Sequence, residues 1–196
     1  INRNKKIVEK RNKILDEFDY KKNDEIFINI LIRTSKRPNA FKINIDSISN
    51  QNYKNYKLLI SYDNEETFDY IKNTLKNYNF DYEIFEVSKT EEYYSYNDYC
   101  NTLLNNVKDG YVIFLDDDDK LLHNNALKYI NEFMEEDRFL VWEYQRADKI
   151  IGPKKGDIKK GNITSCGFCY HSKFKSFWPS EIGSDYEFVK NLVNNN

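Results

Sequence analysis

Short apolar runs closed by polar or charged residues recur along the first two-thirds of the chain. They are Ile26 to Ile32, Leu58 to Ile60, Tyr82 to Val87 and Tyr111 to Leu115. Rich in β-branched and aromatic residues, they read as strands. Between and after them, apolar positions repeat every three or four residues: Phe41, Ile45 and Ile48; Phe68, Ile71 and Leu75; Cys100, Leu103, Leu104 and Val107; Leu127, Ile130, Phe133 and Met134. That spacing predicts helices. Pro38 suits the first turn of the first, and Thr67 is placed to cap the second. The alternation predicts an α/β fold with a mostly parallel sheet covered by helices on both faces.

The two ends of the chain differ from this pattern. Residues 3 to 19 predict an amphipathic surface helix or arm with Ile7, Ile14, Leu15 and Phe18 on one face. In the last third, Phe139 to Tyr144 and Gly161 to Tyr170 look extended. Between them, Ile151 to Lys160 carries Gly152, Pro153 and Gly156 and reads as an exposed loop, with Lys154, Lys155, Lys159 and Lys160 solvated. Ser184 is placed to cap a final helix with Phe188, Val189 and Leu192 inside, ahead of a frayed Asn-rich tail.

A length of 196 residues predicts one domain. The formal net charge of −2, from 30 basic and 32 acidic residues, points to neither a nucleic-acid partner nor a solvating acidic tail. No apolar run reaches the ~18 residues of a membrane span, and the amino end lacks a signal-peptide core. Three cysteines give no disulfide framework, so a reducing, cytoplasmic location is expected. Cys166 and Cys169 form one C-x-x-C with His171 nearby, but only the distant Cys100 or His123 would complete a zinc set, which is disfavoured, as is a redox pair with nothing like a thioredoxin unit around it; Cys100 reads as a small core residue. The chain opens on Ile rather than Met, and a trimmed piece of a larger multidomain protein is the expectation.

One stretch points to chemistry. The apolar run Tyr111 to Leu115 ends in Asp116, Asp117, Asp118 and Asp119. Adjacent carboxylates at the end of a buried strand repel one another unless a cation offsets them, and a hard divalent ion takes oxygen ligands. An EF-hand loop beginning at Asp116 would need Gly where Leu121 stands and Glu where Leu127 stands. An aspartyl-phosphate phosphatase would need Thr or Val where Lys120 stands. A solvated acidic turn is the plain alternative, but the strand ahead and the helix behind favour a ligand site. Arg33 and Thr34, Asp63, and Asp116 to Asp119 all follow strands, so a parallel sheet brings them to one carboxyl edge, where such sheets bind ligands. Asp185, in the first turn of the last helix, reads by itself as an acid favoured by the helix dipole.

Five segments in order resemble those of family 2 glycosyltransferases, which have the GT-A fold. They are Ile30 to Pro38; Ser47 and Ile48 with Gln51 to Asn55; Leu58 to Asn64; Asn101 followed by Tyr111 to Asp118; and Gly183 to Phe188. The resemblance implies a Rossmann-like, mostly parallel central sheet flanked by helices, with a smaller acceptor-side C-terminal part. Residues 1 to 24 would be an arm. Residues 25 to 196 would be one GT-A domain, its nucleotide-binding half about 25 to 120 and its acceptor-side half about 121 to 196.

It implies a metal-dependent, inverting transfer of a sugar from a nucleoside-diphosphate sugar to a glycan or other hydroxyl acceptor, with Mn2+ or Mg2+ as cofactor. Carried over by position, Thr34 and Asp63 contact the base, and Arg33, Arg37 and Asp117 join the nucleotide site. Asp116 reaches the ribose or the metal, Asp118 binds the metal, and Asp185 is the general base. Arg33 departs from the family's usual Pro, and its charge suits a diphosphate. Ser184 replaces a common Glu, for which Glu181 is a substitute. A nucleotidyltransferase acting on a sugar phosphate is the alternative enzyme class, but Arg33 to Pro38 lacks the Gly expected of its loop. A non-catalytic nucleotide-sugar binding module is the other alternative, which the intact acid set argues against. Trp142, Tyr144 and Trp178 read as packing residues ahead of an acceptor-stacking role, and His171 as an acceptor-side or a structural residue.

Overall fold

The computed structural model describes residues 3–22, 24–88, 96–153 and 157–194. The chain runs α1 (Arg3–Glu17), β1 (Ile28–Arg33), α2 (Pro38–Ser49), β2 (Tyr56–Tyr62), α3 (Glu65–Leu75), β3 (Tyr82–Glu86), α4 (Tyr96–Asn106), β4 (Tyr111–Phe114), α5 (Ala126–Phe133), β5 (Leu140–Val141), β6 (Tyr144–Arg146), β7 (Lys149–Ile151), β8 (Phe168–His171) and α6 (Ser184–Asn194). One six-stranded sheet has the order β3-β2-β1-β4-β8-β5, and β6 and β7 form a separate ribbon. The pairs β1–β2, β2–β3 and β1–β4 are parallel, whereas β8 runs antiparallel to β4 and β5. This α/β architecture is the one the apolar pattern predicts.

Strand alternation divides the core into two layers. Ile28, Ile30 and Ile32 of β1 pack with Phe41, Ile45 and Ile48 of α2, Ile71 and Leu75 of α3, and Leu127 and Ile130 of α5. Leu31, Val112 and Phe114 face the other way, onto Cys100 and Leu103 of α4 and Phe188, Val189 and Leu192 of α6. The chain steps outward from β1 through β2 to β3 with helices on the first face. It then returns across the sheet to β4 with α4 on the second. Reversing both the direction and the face keeps every crossover right-handed. The reversal falls between β1 and β4, and open α/β sheets bind ligands outside the carboxyl ends of such a pair.

Several local expectations need correcting. Asn64, not Thr67, caps α3: its side chain accepts from Thr67 N at 2.9 Å, while the buried Thr67 Oγ1 accepts from Lys36 N at 3.1 Å. Ile14 is 49% exposed rather than part of a buried face of α1. Phe18 just beyond α1 does dock, with its ring 5.4 Å from Tyr129 and 5.5 Å from Phe133. The extended run Phe139 to Tyr144 is broken between β5 and β6 because Trp142 N turns to Gly167 O at 3.0 Å. Gly156, Lys154 and Lys155 of the expected loop, and the last two residues of the tail, lie outside the described residues.

Gly110 permits the approach to β4. Its φ is +89°, and a Cβ there would sit 2.7 Å from Phe27 O. His171 pairs with Tyr111 at the amino end of β4, the opposite end from the aspartates, which removes it from the acceptor side. No described helix is long and apolar enough to cross a membrane.

Trp178 is a packing residue: it is 3% exposed and stacks on Phe188 at 4.5 Å between ring centroids. Phe188 also meets Phe168 at 5.7 Å, Tyr170 at 5.9 Å and Phe114 at 6.0 Å, so it joins α6 to the sheet. Phe188→Ala should therefore cost about 3–5 kcal/mol of stability, read from urea unfolding. A loss below about 1 kcal/mol would show that α6 is not anchored through this ring.

Candidate active site at the carboxyl edge of the sheet

The β1–β4 register sets Ile28 opposite Tyr111 and Leu31 opposite Phe114. Leu115 N continues the ladder to Leu31 O at 2.9 Å. Carried past the strand ends, the same offset places Arg33 opposite Asp116 and Thr34 opposite Asp117. Arg33 Nη2 donates to Asp116 Oδ2 at 2.6 Å, and Thr34 Oγ1 donates to Asp117 Oδ2 at 2.6 Å.

Alternation then sends the two acids to different faces. Asp116 lies on the α4–α6 side, where Arg33 Nη1 also meets Cys100 Sγ at 3.9 Å. Asp117, fully buried, lies on the α2–α3 side with Thr34, whose hydroxyl is 2.6 Å from Tyr70 Oη. Arg37, just ahead of α2, places Nη2 2.5 Å from Asp117 Oδ1 and Nη1 2.7 Å from Asp118 Oδ2. The Oδ1 contact lacks hydrogen-bond alignment and is an ion pair alone; Nε reaches Asp117 Oδ2 at 3.2 Å.

The acidic stretch is a turn, with Asp119 N bonded to Asp116 O at 2.8 Å. Asn44, buried on α2, clamps that turn from behind: Nδ2 donates to Asp116 O at 2.9 Å and Asp119 O at 3.1 Å. The turn brings one carboxylate oxygen each from Asp116, Asp118 and Asp119 within 4.8 Å of one another.

Asp185 arrives from the far end of the sequence. Asn101 of α4 exchanges two hydrogen bonds with the Trp178 backbone, at 2.9 and 2.8 Å. Asn97, one turn earlier, donates to Pro179 O and, at 3.0 Å, to Ser184 Oγ. These bonds fix the segment entering α6. Ser165 joins the two acidic groups: its hydroxyl donates to Asp116 Oδ2 at 3.3 Å, and its backbone N–H bonds to Asp185.

Crowding marks the carboxyls electrostatically. Burial, then the Asp116 charge, pushes Asp185 up to about 6 against the pull of Arg33 and the Ser165 amide. Burial likewise raises Asp117 to about 6, against Thr34 and Arg37. Asp119 also rises to about 6, from burial and then Asp116, opposed by a hydrogen bond with Cys166. Burial and Asp119 push the Cys166 thiol up, away from the thiolate a redox pair needs, and among the described residues the cysteines and histidines do not gather into a metal-ligand cluster.

The model for glycosyl transferase family 2 matches residues 30–174. The chain belongs to that family. Its fold is also that of solved family-like structures. TarS 1-349 from S. aureus superposes with a TM-score of 0.68 at 15% identity, over 85% of this chain and 55% of that one. The mannosyltransferase PcManGT from Pyrobaculum calidifontis, in complex with GDP-Man and Mn2+, superposes with a TM-score of 0.66 at 9% identity, over 96% of this chain and 59% of that one. TarS 1-349 in complex with UDP-GlcNAc gives a TM-score of 0.63 at 14% identity, over 87% of this chain and 54% of that one. This chain thus spans between half and three-fifths of those structures. No curated protein sequence matches it.

Of the residues singled out from sequence, Arg33, Arg37, Asp116, Asp118 and Asp185 gather at one edge of the sheet. Asp63 follows β2 at the same edge, bonded to Asn64 Nδ2 at 2.6 Å. Thr34 (1% exposed) and Asp117 (0%) are closed off from solvent, so direct contact with a nucleotide is not what their placement supports. They brace Arg37 and the turn instead. Glu181 lies within the clamped segment, its N–H bonded to Pro179 O at 2.8 Å, but the residue is exposed. The sequence singles out Asp119 only as part of the acidic run, without a role of its own, and gives Asn44, Asn97 and Ser165 no part in the site. Asn97 and Asn101, four apart on one predicted helix face, were the available signal.

The donor set fits a divalent ion. All three clustered groups are hard carboxylate oxygens, and Asp116 Oδ1 is buried with no hydrogen-bond partner, while Oδ2 serves Arg33 and Ser165.

Asp117, Asp119 and Asp185 bind protons in the folded protein up to about pH 6 but in the unfolded chain only to about pH 4. Stability from these groups is complete below about pH 4 and is lost as pH rises through 6. Asp46, Glu83 and Asp137 are shifted the other way, each first by a hydrogen bond to a lysine (Lys42, Lys57 and Lys173), so their contribution is lost as pH falls. The melting temperature of the metal-free protein should therefore fall from pH 5 to pH 7, and MnCl2 at pH 7 should raise it. A melting temperature that climbs across this interval in EDTA would contradict the placement of these carboxyls.

Proposed function

We propose that this chain is the catalytic unit of a metal-dependent, inverting glycosyltransferase that moves a sugar from a nucleoside-diphosphate sugar to a hydroxyl acceptor, with a glycan as the favoured acceptor class. Family membership supports glycosyl transfer. The observation that carries the mechanism is the joining of the Asp116–Asp118–Asp119 cluster to Asp185 through Ser165 and Arg33. A site for a cation and a carboxylate held near neutrality stand side by side at the switch point of the sheet.

Asp116, Asp118 and Asp119 would hold Mn2+ or Mg2+, which supplies positive charge to the departing diphosphate. Arg33 and Arg37 add guanidinium charge at the same edge, and Asp63 lies where a base or ribose would be met. Asp185 takes the proton from the acceptor hydroxyl as its oxygen attacks the anomeric carbon. The bond from that carbon to the diphosphate oxygen breaks on the opposite side. A single displacement with one base inverts the carbon. With a folded-state value of about 6, Asp185 is ionised at neutral pH yet remains a useful proton acceptor. Residues 25 to 196 would form the catalytic domain, the half before about residue 120 binding nucleotide and the rest facing the acceptor. The bound species in the neighbours, UDP-GlcNAc and GDP-Man, are nucleoside-diphosphate sugars and define the panel to try first.

Incubation with Mn2+ and a set of such sugars should release nucleoside diphosphate. Asp118→Asn should abolish Mn2+-dependent binding of UDP or GDP in calorimetry. Asp185→Asn should keep that binding while slowing transfer by about 10² to 10⁴. Transfer by Asp185→Asn at the wild-type rate would remove the general-base assignment.

A further inference from the structure

Arg37 pairs with two aspartates of the acidic turn at once, and the two are unlike. Asp117 has a side chain with no exposure, bound also to Thr34, whereas the Asp118 side chain is 58% exposed. The Arg37 side chain is itself 45% exposed, and its backbone is fixed ahead of Pro38 at the start of α2. A buried, hydrogen-bonded pair is costly to separate, and an exposed one is not. The guanidinium is thus anchored at its Asp117 end and loosely held at its Asp118 end.

Asp118 belongs to the three-carboxylate cluster, so a cation bound there competes with Arg37 Nη1 for it. Arg33 differs: it pairs with Asp116, side chain 11% exposed, and is itself only 23% exposed. Arg33 is a fixed charge of the site, and Arg37 is a movable one.

Resting on the reading of that cluster as a divalent-cation site, we propose that Arg37 is an exchangeable counter-ion. It holds Asp118 while no divalent ion is bound and gives Asp118 up when one arrives. Still anchored on Asp117, it then turns its freed Nη1 to the diphosphate of the donor. No covalent bond changes; one ion pair is traded for another. Two consequences follow by linkage. Arg37 weakens metal binding in the absence of nucleotide, and it makes metal and nucleoside diphosphate bind cooperatively.

The test titrates the metal-free full chain with MnCl2, following free Mn2+ by electron paramagnetic resonance, with and without UDP or GDP. Without nucleotide, Arg37→Gln should bind Mn2+ about tenfold more tightly than wild type, because a competing positive charge is gone. At saturating Mn2+ it should bind UDP or GDP about tenfold more weakly. Arg37→Lys, which keeps the charge, should stay within about threefold of wild type for Mn2+ alone. Lys36→Gln removes an exposed charge one residue away and should change Mn2+ affinity by less than about twofold.

A wild-type measurement stands apart from any folding defect. Phenylglyoxal modification of Arg37, quantified by peptide mass spectrometry, should quicken with Mn2+ and slow again when UDP is added. Unchanged or weaker Mn2+ binding by Arg37→Gln, an equal gain in Lys36→Gln, or modification indifferent to Mn2+ would overturn the exchange while leaving the cation site standing. Absence of Mn2+ binding in wild type and every variant would instead remove the cation site and the exchange with it.

Discussion

The pairing register of β1 and β4 is the constraint on which the site depends. Parallel strands in fixed register carry their alignment beyond the last ladder bond, and here it delivers Arg33 to Asp116 and Thr34 to Asp117. A slip of one residue would exchange the faces of every side chain. Asp117 would then point at α4 and α6, and Asp116 at Thr34 and Tyr70. The buried residues of the β4 run forbid that slip, because it would turn Ile113 and Leu115 away from the α2–α3 layer and Val112 and Phe114 away from the α4–α6 layer. The hydrophobic core and the charge arrangement therefore enforce the same alignment.

Like charges at the end of a buried strand are costly, and the protein meets that cost unevenly. Arg33 and Arg37 offset Asp116, Asp117 and Asp118 directly, while Asp119 and Asp185 are left to burial and to hydrogen bonds from Cys166 and the Ser165 amide. Within the metal-competent cluster, Asp116 Oδ1 is buried with no hydrogen-bond partner. Groups fixed by the fold around a charge deficit need no reorganisation when a cation fills it, which is the condition for strong electrostatic stabilisation of a leaving group. Asn44 contributes by fixing the carbonyls of the turn, so the carboxylates cannot simply swing apart into water.

The elements built from regular periodicity were legible, because a period of two or of three to four residues follows directly from which side faces the core. Ile28 to Arg33 and Phe41 to Ile48 are examples. What escaped was decided by single hydrogen bonds or by distant partners. Asn64 and Thr67 are both competent caps, and only the geometry at the end of β2 chooses Asn64. Trp142 N is drawn to Gly167 O, a partner 25 residues on, so the extended run after Phe139 breaks where periodicity would continue it. Thr34 and Asp117 carry the residue types of a ligand site but spend their polar atoms on each other. Sequence pattern shows a residue's chemistry without showing which of its atoms are already committed. Ser165 gave no warning at all, since a lone serine in a loop has no periodicity to betray it.

The two faces of the sheet divide the work. On the α2–α3 side, Asp117, Thr34, Tyr70 and Arg37 form a bonded group that, on the proposed reading, would support a cation and a phosphate. On the α4–α6 side, Asn97, Asn101 and Ser165 hold the acid that would face the acceptor. Asp116 and Arg33 are the shared element between them. Such a division lets one face change its substrate contacts without disturbing the other, provided the shared pair is kept. Arg33 is central to that condition: it is bonded to Asp116, and its charge also opposes the upward shift of Asp185. On the proposed reading, the charge of one arginine at the end of β1 thus acts on both the would-be proton acceptor and the would-be cation site.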